Sequence, residues 1–125
     1  MWYIFPSGGT SQPSGVTSIM ANNELTVSTL YGGGTHVVKF SSPTCGPCRA
    51  VASIIERVAG DERFSEVRFW DVNVVDPENS DIVRTLNIKS VPVVVLVKDG
   101  ENRKILVGGD ITEIKLEDTL LELTE

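Results

Sequence analysis

The stretch Val37-Val38-Lys39-Phe40-Ser41-Ser42-Pro43-Thr44-Cys45-Gly46-Pro47-Cys48 decides the fold of this chain. Its first four residues are mostly apolar and predict a short buried strand. Beyond Cys48, apolar residues recur at the spacing of a helix, at positions 51, 54, 55 and 58. Both cysteines of the chain therefore lie between a strand and a helix, with Gly46 and Pro47 between them, at the mouth of the helix.

This position gives the cysteines a specific chemistry. A cysteine in the first turn of a helix faces backbone N–H groups without partners and the positive end of the helix dipole, and both favour the thiolate over the thiol. The thiolate is the form that attacks a disulfide. A second cysteine within one turn can then close the ring and expel the product. The arrangement of strand, C-x-x-C and helix predicts a dithiol redox site.

Two other interpretations of the cysteine pair are weaker. A C-x-x-C pair supplies two of the ligands in many zinc sites, but zinc needs about four ligands. Beyond the two cysteines, His36 is the chain's only other Cys or His residue. We therefore expect no metal. A purely structural disulfide would close a very small loop, which removes little entropy from the unfolded chain and so stabilises little.

Three further features lie downstream of the cysteines: Val91-Pro92, Asp99-Gly100 and Gly108-Gly109. Together with the Cys45-Gly46-Pro47-Cys48 motif, they make the chain resemble the thioredoxin family. Val91-Pro92 resembles the Val/Ile-cis-Pro element of that family, Asp99-Gly100 its last hairpin turn, and Gly108-Gly109 the glycine after its final strand. The resemblance covers about residues 16–125. It implies a thioredoxin fold and an enzyme that needs no cofactor beyond its own dithiol.

The pattern of elements agrees with this α/β fold. From residue 16 on, strand and helix alternate, which predicts a central mixed sheet of about five strands flanked by about four helices. The predicted strands are 16–20, 36–41, 66–74, 93–97 and 104–107. Besides the helix after Cys48, we expect helices at 23–31, with Asn22 as its cap, and at 77–86. The last helix is expected to begin at a capping box formed by Asp110 and Glu113 and to bury Ile114, Leu116, Leu120 and Leu123.

Composition sets the remaining limits. Residues 1–15 carry no charge and are dense in Gly, Ser, Pro and Thr, so we expect a flexible extension before a single domain at 16–125. The net charge of −6 argues against nucleic acid as a partner. No apolar run is long enough to span a membrane, and residues 2–5 are too short for a signal-peptide core. We expect a cytoplasmic monomer, in a compartment that keeps the dithiol reduced.

The resemblance also implies roles for individual residues. Cys45 is expected to be the exposed attacking thiolate and Cys48 the buried resolving thiol. Pro92 would leave the Val91 backbone free to pair with a client strand by β-augmentation, and would keep metal away from the dithiol. The surface expected to bind the client consists of Thr44, Gly46, Pro47, Val91, Pro92 and Gly108.

Three residues depart from the family pattern near the site. Thr44 stands where the family nearly always has Trp before the first cysteine. Lys39 stands where most members have a buried Asp behind the second cysteine, and Asp71 stands where the family has a nearby Lys. The two charges look exchanged, which makes Lys39 and Asp71 further candidate catalytic residues, with Lys39 as a proton shuttle for Cys48. The alternative is that Lys39 extends its amine to solvent and never meets Asp71.

Three functions follow from these observations. The first is a thiol–disulfide oxidoreductase that reduces protein disulfides and is recharged by a reductase of the thioredoxin reductase type. A second is a binding module or partner subunit in which the dithiol is incidental. The third, an oxidant or isomerase, is disfavoured because the resemblance associates Gly46-Pro47 with the reducing members of the family.

Overall fold

The computed structural model describes residues 19–20 and 25–124. The predicted extension at 1–15, the start of the first strand, and the proposed cap Asn22 lie outside these residues. Among the described residues, five strands form one sheet in the order β1-β3-β2-β4-β5. They are β1 (Ile19–Met20), β2 (Thr35–Ser41), β3 (Arg68–Asn73), β4 (Val93–Lys98) and β5 (Glu101–Val107).

The sheet is mixed, as the sequence predicts. β2 lies at its centre, parallel to β3 on one side and antiparallel to β4 on the other. β1 continues the parallel half next to β3, and β5 pairs antiparallel with β4 across the turn at Asp99 and Gly100. The predicted α/β architecture and the terminal hairpin are therefore confirmed.

Helices cover both faces of the sheet. They are α1 (Val27–Leu30), α2 (Pro47–Ala59), α3 (Ser80–Thr85) and α4 (Glu113–Thr124). α2 and α4 pack on one face, and α1 and α3 pack on the other. None of the helices in the described part of the chain has the length and apolar character needed to cross a bilayer.

Alternation along β2 assigns each side chain to one of these two layers. Val37 belongs to the core under α2 and α4, whereas Val38 and Phe40 belong to the core under α1 and α3. Successive strand residues point to opposite faces, so Lys39 lies on the face that α2 covers. β2, which is otherwise mostly apolar, thus places the charged side chain of Lys39 in the layer between the sheet and α2.

Two expectations about where helices start were wrong. The first helix is shorter than predicted, because Thr26 caps it: its Oγ1 accepts a hydrogen bond from the Thr29 N–H at 3.1 Å. Asp110 does not cap the last helix, since it ends a 3-10 turn at Gly108–Asp110. Thr112 takes that role, and its Oγ1 accepts from the Lys115 N–H at 3.2 Å.

The predicted burial of Ile114 was also wrong. Its side chain is 71% exposed, whereas Leu116, Leu120 and Leu123 are buried as expected. The helix geometry explains the difference. Ile114 precedes Leu116 by two residues, and two residues are about 200° of rotation in a helix of 3.6 residues per turn. A core contact at Leu116 therefore turns Ile114 to solvent.

A buried hydrogen-bonded pair of side chains lies near the start of β2, at the end of the sheet away from the loop at 42–46. The Trp70 Nε1–H donates to Nδ1 of His36 at 3.0 Å, and Nε2 of His36 lies 2.9 Å from the carbonyl oxygen of Gly33. An indole N–H can only donate, so Nδ1 must be the acceptor and the proton must lie on Nε2. His36 is 1% exposed, and burial, together with the nearby Arg68 charge, holds its pKa below 6.5 despite the opposing Gly33 hydrogen bond.

This pair predicts a loss of stability in mild acid. Because the pKa of His36 is lowered in the folded state, the unfolded chain binds more protons just below pH 6.5, and the free energy of unfolding must fall as the pH falls through that region. His36 is the only histidine, so His36→Gln should flatten the profile between pH 7 and 5.5. Urea unfolding at each pH measures both proteins, and an equal decline in the variant would contradict the prediction.

Candidate active site

The two cysteines lie where β2 passes into α2. Residues 42–46 connect the strand to the helix; Gly46 is the N-cap residue and Pro47 is the first residue of the helix. Proline suits this position because its fixed φ fits the first turn and its missing N–H would have no partner there. No side chain caps α2 and no acidic residue lies in its first turn. The positive end of the helix dipole is therefore not neutralised by the protein beside Cys45 and Cys48.

Cys45 and Cys48 are joined in a disulfide, with their Cα atoms 5.4 Å apart. Cys48 is 5% exposed and belongs to the buried side of α2. Cys45 is half-buried, in the loop that precedes the helix. The predicted difference in access between the two sulfur-bearing residues is therefore present in the fold.

The Val91–Pro92 element lies at the same edge of the sheet. Its peptide bond is cis. Val93 pairs with Phe40 near the end of β2, so the residues just before β4 adjoin the loop that leaves β2 for the cysteines. Gly108 lies next to this element, and its N–H donates a hydrogen bond to the Pro92 carbonyl oxygen at 3.1 Å. The backbone φ of Gly108 is +56°, a conformation that favours glycine.

The expected client-binding residues differ in their exposure. Thr44, Gly46 and Pro47 are exposed, whereas Val91 is half-buried and Pro92 is buried. A Cβ atom built at Gly46 would meet no atom within 4 Å, so the space above the dipeptide is open. In residues 25–124 no group of three or more His, Cys, Asp or Glu side chains could hold a metal ion.

Lys39 and Asp71 are directly opposite each other on β2 and β3. The Lys39 Nζ lies 3.5 Å from Asp71 Oδ1; the Lys39 side chain is 10% exposed and the Asp71 side chain 43% exposed. The structure thus brings the two charges together, with the ammonium inside and the carboxylate partly in water. The alternative in which Lys39 extends to solvent and never meets Asp71 is not what the fold adopts.

Ser41 is a third member of this cluster, and it is not among the residues predicted from the sequence. Its Oγ donates a hydrogen bond of 3.3 Å to Asp71 Oδ1. Ser41 lies two residues after Lys39 on β2, so the two side chains share a face of the sheet. This two-residue spacing was the signal in the sequence that could have identified it.

These features define a thiol–disulfide oxidoreductase: a dithiol/disulfide pair at the uncapped start of a helix, at one edge of a mixed α/β sheet. The thioredoxin family model matches residues 18–122. The chain belongs to the thioredoxin family, whose members are protein-disulfide oxidoreductases.

Individual relatives agree with this assignment. Thioredoxin Asp f 28 of Aspergillus fumigatus is 38% identical over 98 residues, which are 78% of this chain and 87% of the relative. Thioredoxin-2 of Saccharomyces cerevisiae is 30% identical over 100 residues, 80% of this chain and 92% of that protein. The crystal structure of the Malassezia sympodialis thioredoxin Mala s 13 has a TM-score of 0.73 at 22% identity, over 95% of this chain and all of that one. The last comparison confirms the predicted thioredoxin fold.

The difference in access predicts unequal reactivity of the reduced cysteines. Cys45 should react with iodoacetamide at least about tenfold faster than Cys48 near neutral pH, because it is the more exposed of the two and lies close to the helix end. Mass spectrometry of peptides after brief alkylation measures the two rates, with a fully unfolded sample as the control for intrinsic reactivity. Equal rates in the folded protein would contradict the assignment of Cys45 as the nucleophile.

Proposed function

We propose that this protein reduces disulfides of client proteins through Cys45 and Cys48 and is returned to its dithiol form by a reductase. The observation that carries the proposal is the pair of cysteines at the uncapped start of α2, one half-buried and one buried. Partners of this kind are the general rule in the family to which the chain belongs. A cytoplasmic location and a monomeric state stay predictions from the sequence.

The reaction has two thiol–disulfide exchanges. In the first, the Cys45 thiolate attacks one sulfur of the client disulfide, a mixed disulfide forms, and the other client sulfur leaves as a thiolate that takes up a proton. In the second, the Cys48 thiolate attacks the Cys45 sulfur and releases the remaining client thiolate. The client disulfide has then gained two electrons, and the protein holds the Cys45–Cys48 disulfide.

The cis Val91–Pro92 element supplies a docking edge for the client in this proposal. The Val91 backbone lies just before β4 and beside the dithiol loop, where an extended client segment could pair with it. Gly46 leaves open space for the approaching disulfide. Thr44, Pro47 and Gly108 form the rest of the contact surface.

Lys39 and Asp71 serve the second exchange in this proposal. Cys48 must lose its proton to attack, and it lies in the buried layer that also contains the Lys39 side chain. The ammonium would stabilise the thiolate as it forms. Asp71, which contacts both Lys39 and solvent, would pass the released proton outward.

Reduction of insulin tests the proposed function. With dithiothreitol as electron donor, the wild-type protein should accelerate precipitation of the insulin B chain, and Cys45→Ser should abolish the acceleration because it removes the nucleophile. Cys48→Ser should instead accumulate a mixed disulfide with the client, visible on non-reducing gels, because the resolving thiol is missing. A wild-type protein that neither accelerates precipitation nor exchanges with insulin would favour the binding-module alternative.

The residue before the first cysteine makes a separate prediction. Thr44 is exposed and is too small to give the broad apolar contact that an aromatic ring offers a client. Thr44→Trp should therefore raise the rate of insulin reduction by about threefold, which corresponds to about 0.6 kcal/mol of added contact at the transition state. Thr44→Ser is the matched control, with no expected gain. A lower rate in Thr44→Trp would contradict the prediction.

A further inference from the structure

A positive charge is buried beneath the start of the dithiol helix, and its counter-charge is not buried to the same extent. Lys39 is 10% exposed and Asp71 is 43% exposed, with 3.5 Å between Nζ and Oδ1. Ser41 also donates to that carboxylate oxygen, at 3.3 Å. Asp71 therefore shares its negative charge among the ammonium, a hydroxyl group and water.

Lys39 and Cys48 lie at the same end of the same layer. Val37 and Val51 belong to one core cluster between the sheet and α2. Lys39 is two residues after Val37, which is one strand repeat toward the loop at 42–46. Cys48 is three residues before Val51, which is about one helical turn toward the same loop. Both side chains are buried there.

Solvent screens the two members of the ion pair unequally. Water weakens the field of an exposed charge far more than that of a charge inside the protein. At a buried sulfur on the α2 side of the sheet, the field of Lys39 therefore exceeds the opposing field of Asp71. By this screening argument, the ion pair contributes a positive net potential at Cys48.

We infer that Lys39 is a positioning charge that stabilises the thiolate of the reduced Cys45–Cys48 pair and so shifts the dithiol/disulfide equilibrium toward the dithiol. The inference rests on the proposed function only in that the pair must interconvert between its two redox forms. A disulfide carries no charge and gains nothing from Lys39, whereas a thiolate gains directly. The ammonium thus makes the protein a weaker reductant than the same fold with a neutral residue at this position.

The balance of the half-reaction sets the sign of this effect. The disulfide takes up two electrons and two protons to give the dithiol, and one proton is released again when one thiol ionises. Any group that favours this ionisation lowers the free energy of the reduced form alone. In proteins of this chemistry, a stabilised reduced form corresponds to a more oxidising potential.

Equilibration with mixtures of reduced and oxidised dithiothreitol at pH 7 measures the effect. The exchange converts protein disulfide and dithiothreitol dithiol into protein dithiol and cyclic dithiothreitol disulfide, so no client or reductase is needed. Acid quenching followed by maleimide labelling and mass spectrometry gives the dithiol fraction. Lys39→Met should lower the equilibrium constant for reduction by about tenfold, which is about 30 mV for this two-electron couple.

Two further variants separate charge from structure. Lys39→Arg keeps the positive charge and should stay within about twofold of the wild type. Arg49→Met removes a cation that follows Cys48 in sequence but is exposed, and it should also stay within about twofold because water screens that charge. In a spectroscopic pH titration of the thiolate, Lys39→Met should raise the pKa of the reduced pair, whereas Arg49→Met should leave it unchanged.

Asp71→Asn keeps the test decisive if Lys39→Met does not fold. Removing the carboxylate leaves the Lys39 field less opposed, so the equilibrium constant should rise, in the direction opposite to Lys39→Met. The inference is overturned if folded Lys39→Met matches the wild type, if Arg49→Met shifts equally, or if Asp71→Asn shifts toward the disulfide. Insulin reduction is measured separately, so a failure there leaves this equilibrium result interpretable.

Discussion

The structure depends on the pairing of β2 along both of its edges. Hydrogen bonds to β3 and β4 hold this strand in a single register, with Lys39 opposite Asp71 on one side and opposite Val94 on the other. A slip by one residue would turn Val37 and Lys39 away from α2 and bring Val38 and Phe40 under it. That change would remove large apolar side chains from the second core and break the ion pair. The register therefore fixes the core, the start of α2 and the electrostatics of the site together.

The register also explains how the interior accepts a charged side chain. Moving an isolated ammonium into a protein is strongly unfavourable, and even a fully buried ion pair seldom repays its desolvation. Here the partner carboxylate keeps 43% of its side-chain surface in contact with solvent. Only the Lys39 side chain loses most of its water, and Asp71 is directly across the sheet from it. The arrangement limits nearly complete desolvation to one of the two charges.

Much of the site could be predicted from the sequence because it is local. A buried strand, a cysteine pair and an amphipathic helix follow one another within a short stretch, so their order alone places the dithiol at a helix start. The pairing of Lys39 with Asp71 could be predicted because the family has an Asp at the first position and a Lys at the second, so the two charges are exchanged in this chain. Ser41 required only the two-residue period of a strand.

Other features depend on tertiary contacts that no local pattern encodes. His36 and Trp70 are diagonal neighbours on adjacent strands, so their hydrogen bond requires the β2–β3 register. The exposure of Ile114 is different, because Ile114 lies off the helical stripe of Leu116, Leu120 and Leu123, and that local spacing could have predicted it. The helix starts at Thr26 and Thr112 compete with other capping residues nearby, and the surrounding fold selects between them.

The buried polar side chains at the two ends of the sheet differ in charge and in their contact with solvent. At the end away from the dithiol, His36 is neutral, and both of its ring nitrogens have partners inside the protein. Such a group adds no net charge to its surroundings. At the dithiol end, Lys39 keeps a partner that itself faces water, so part of its field remains available to the neighbouring layer. A fold that needed only stability there would be served as well by an apolar residue. In the proposed reaction, a positive charge at this place would stabilise a thiolate that forms and disappears in each cycle.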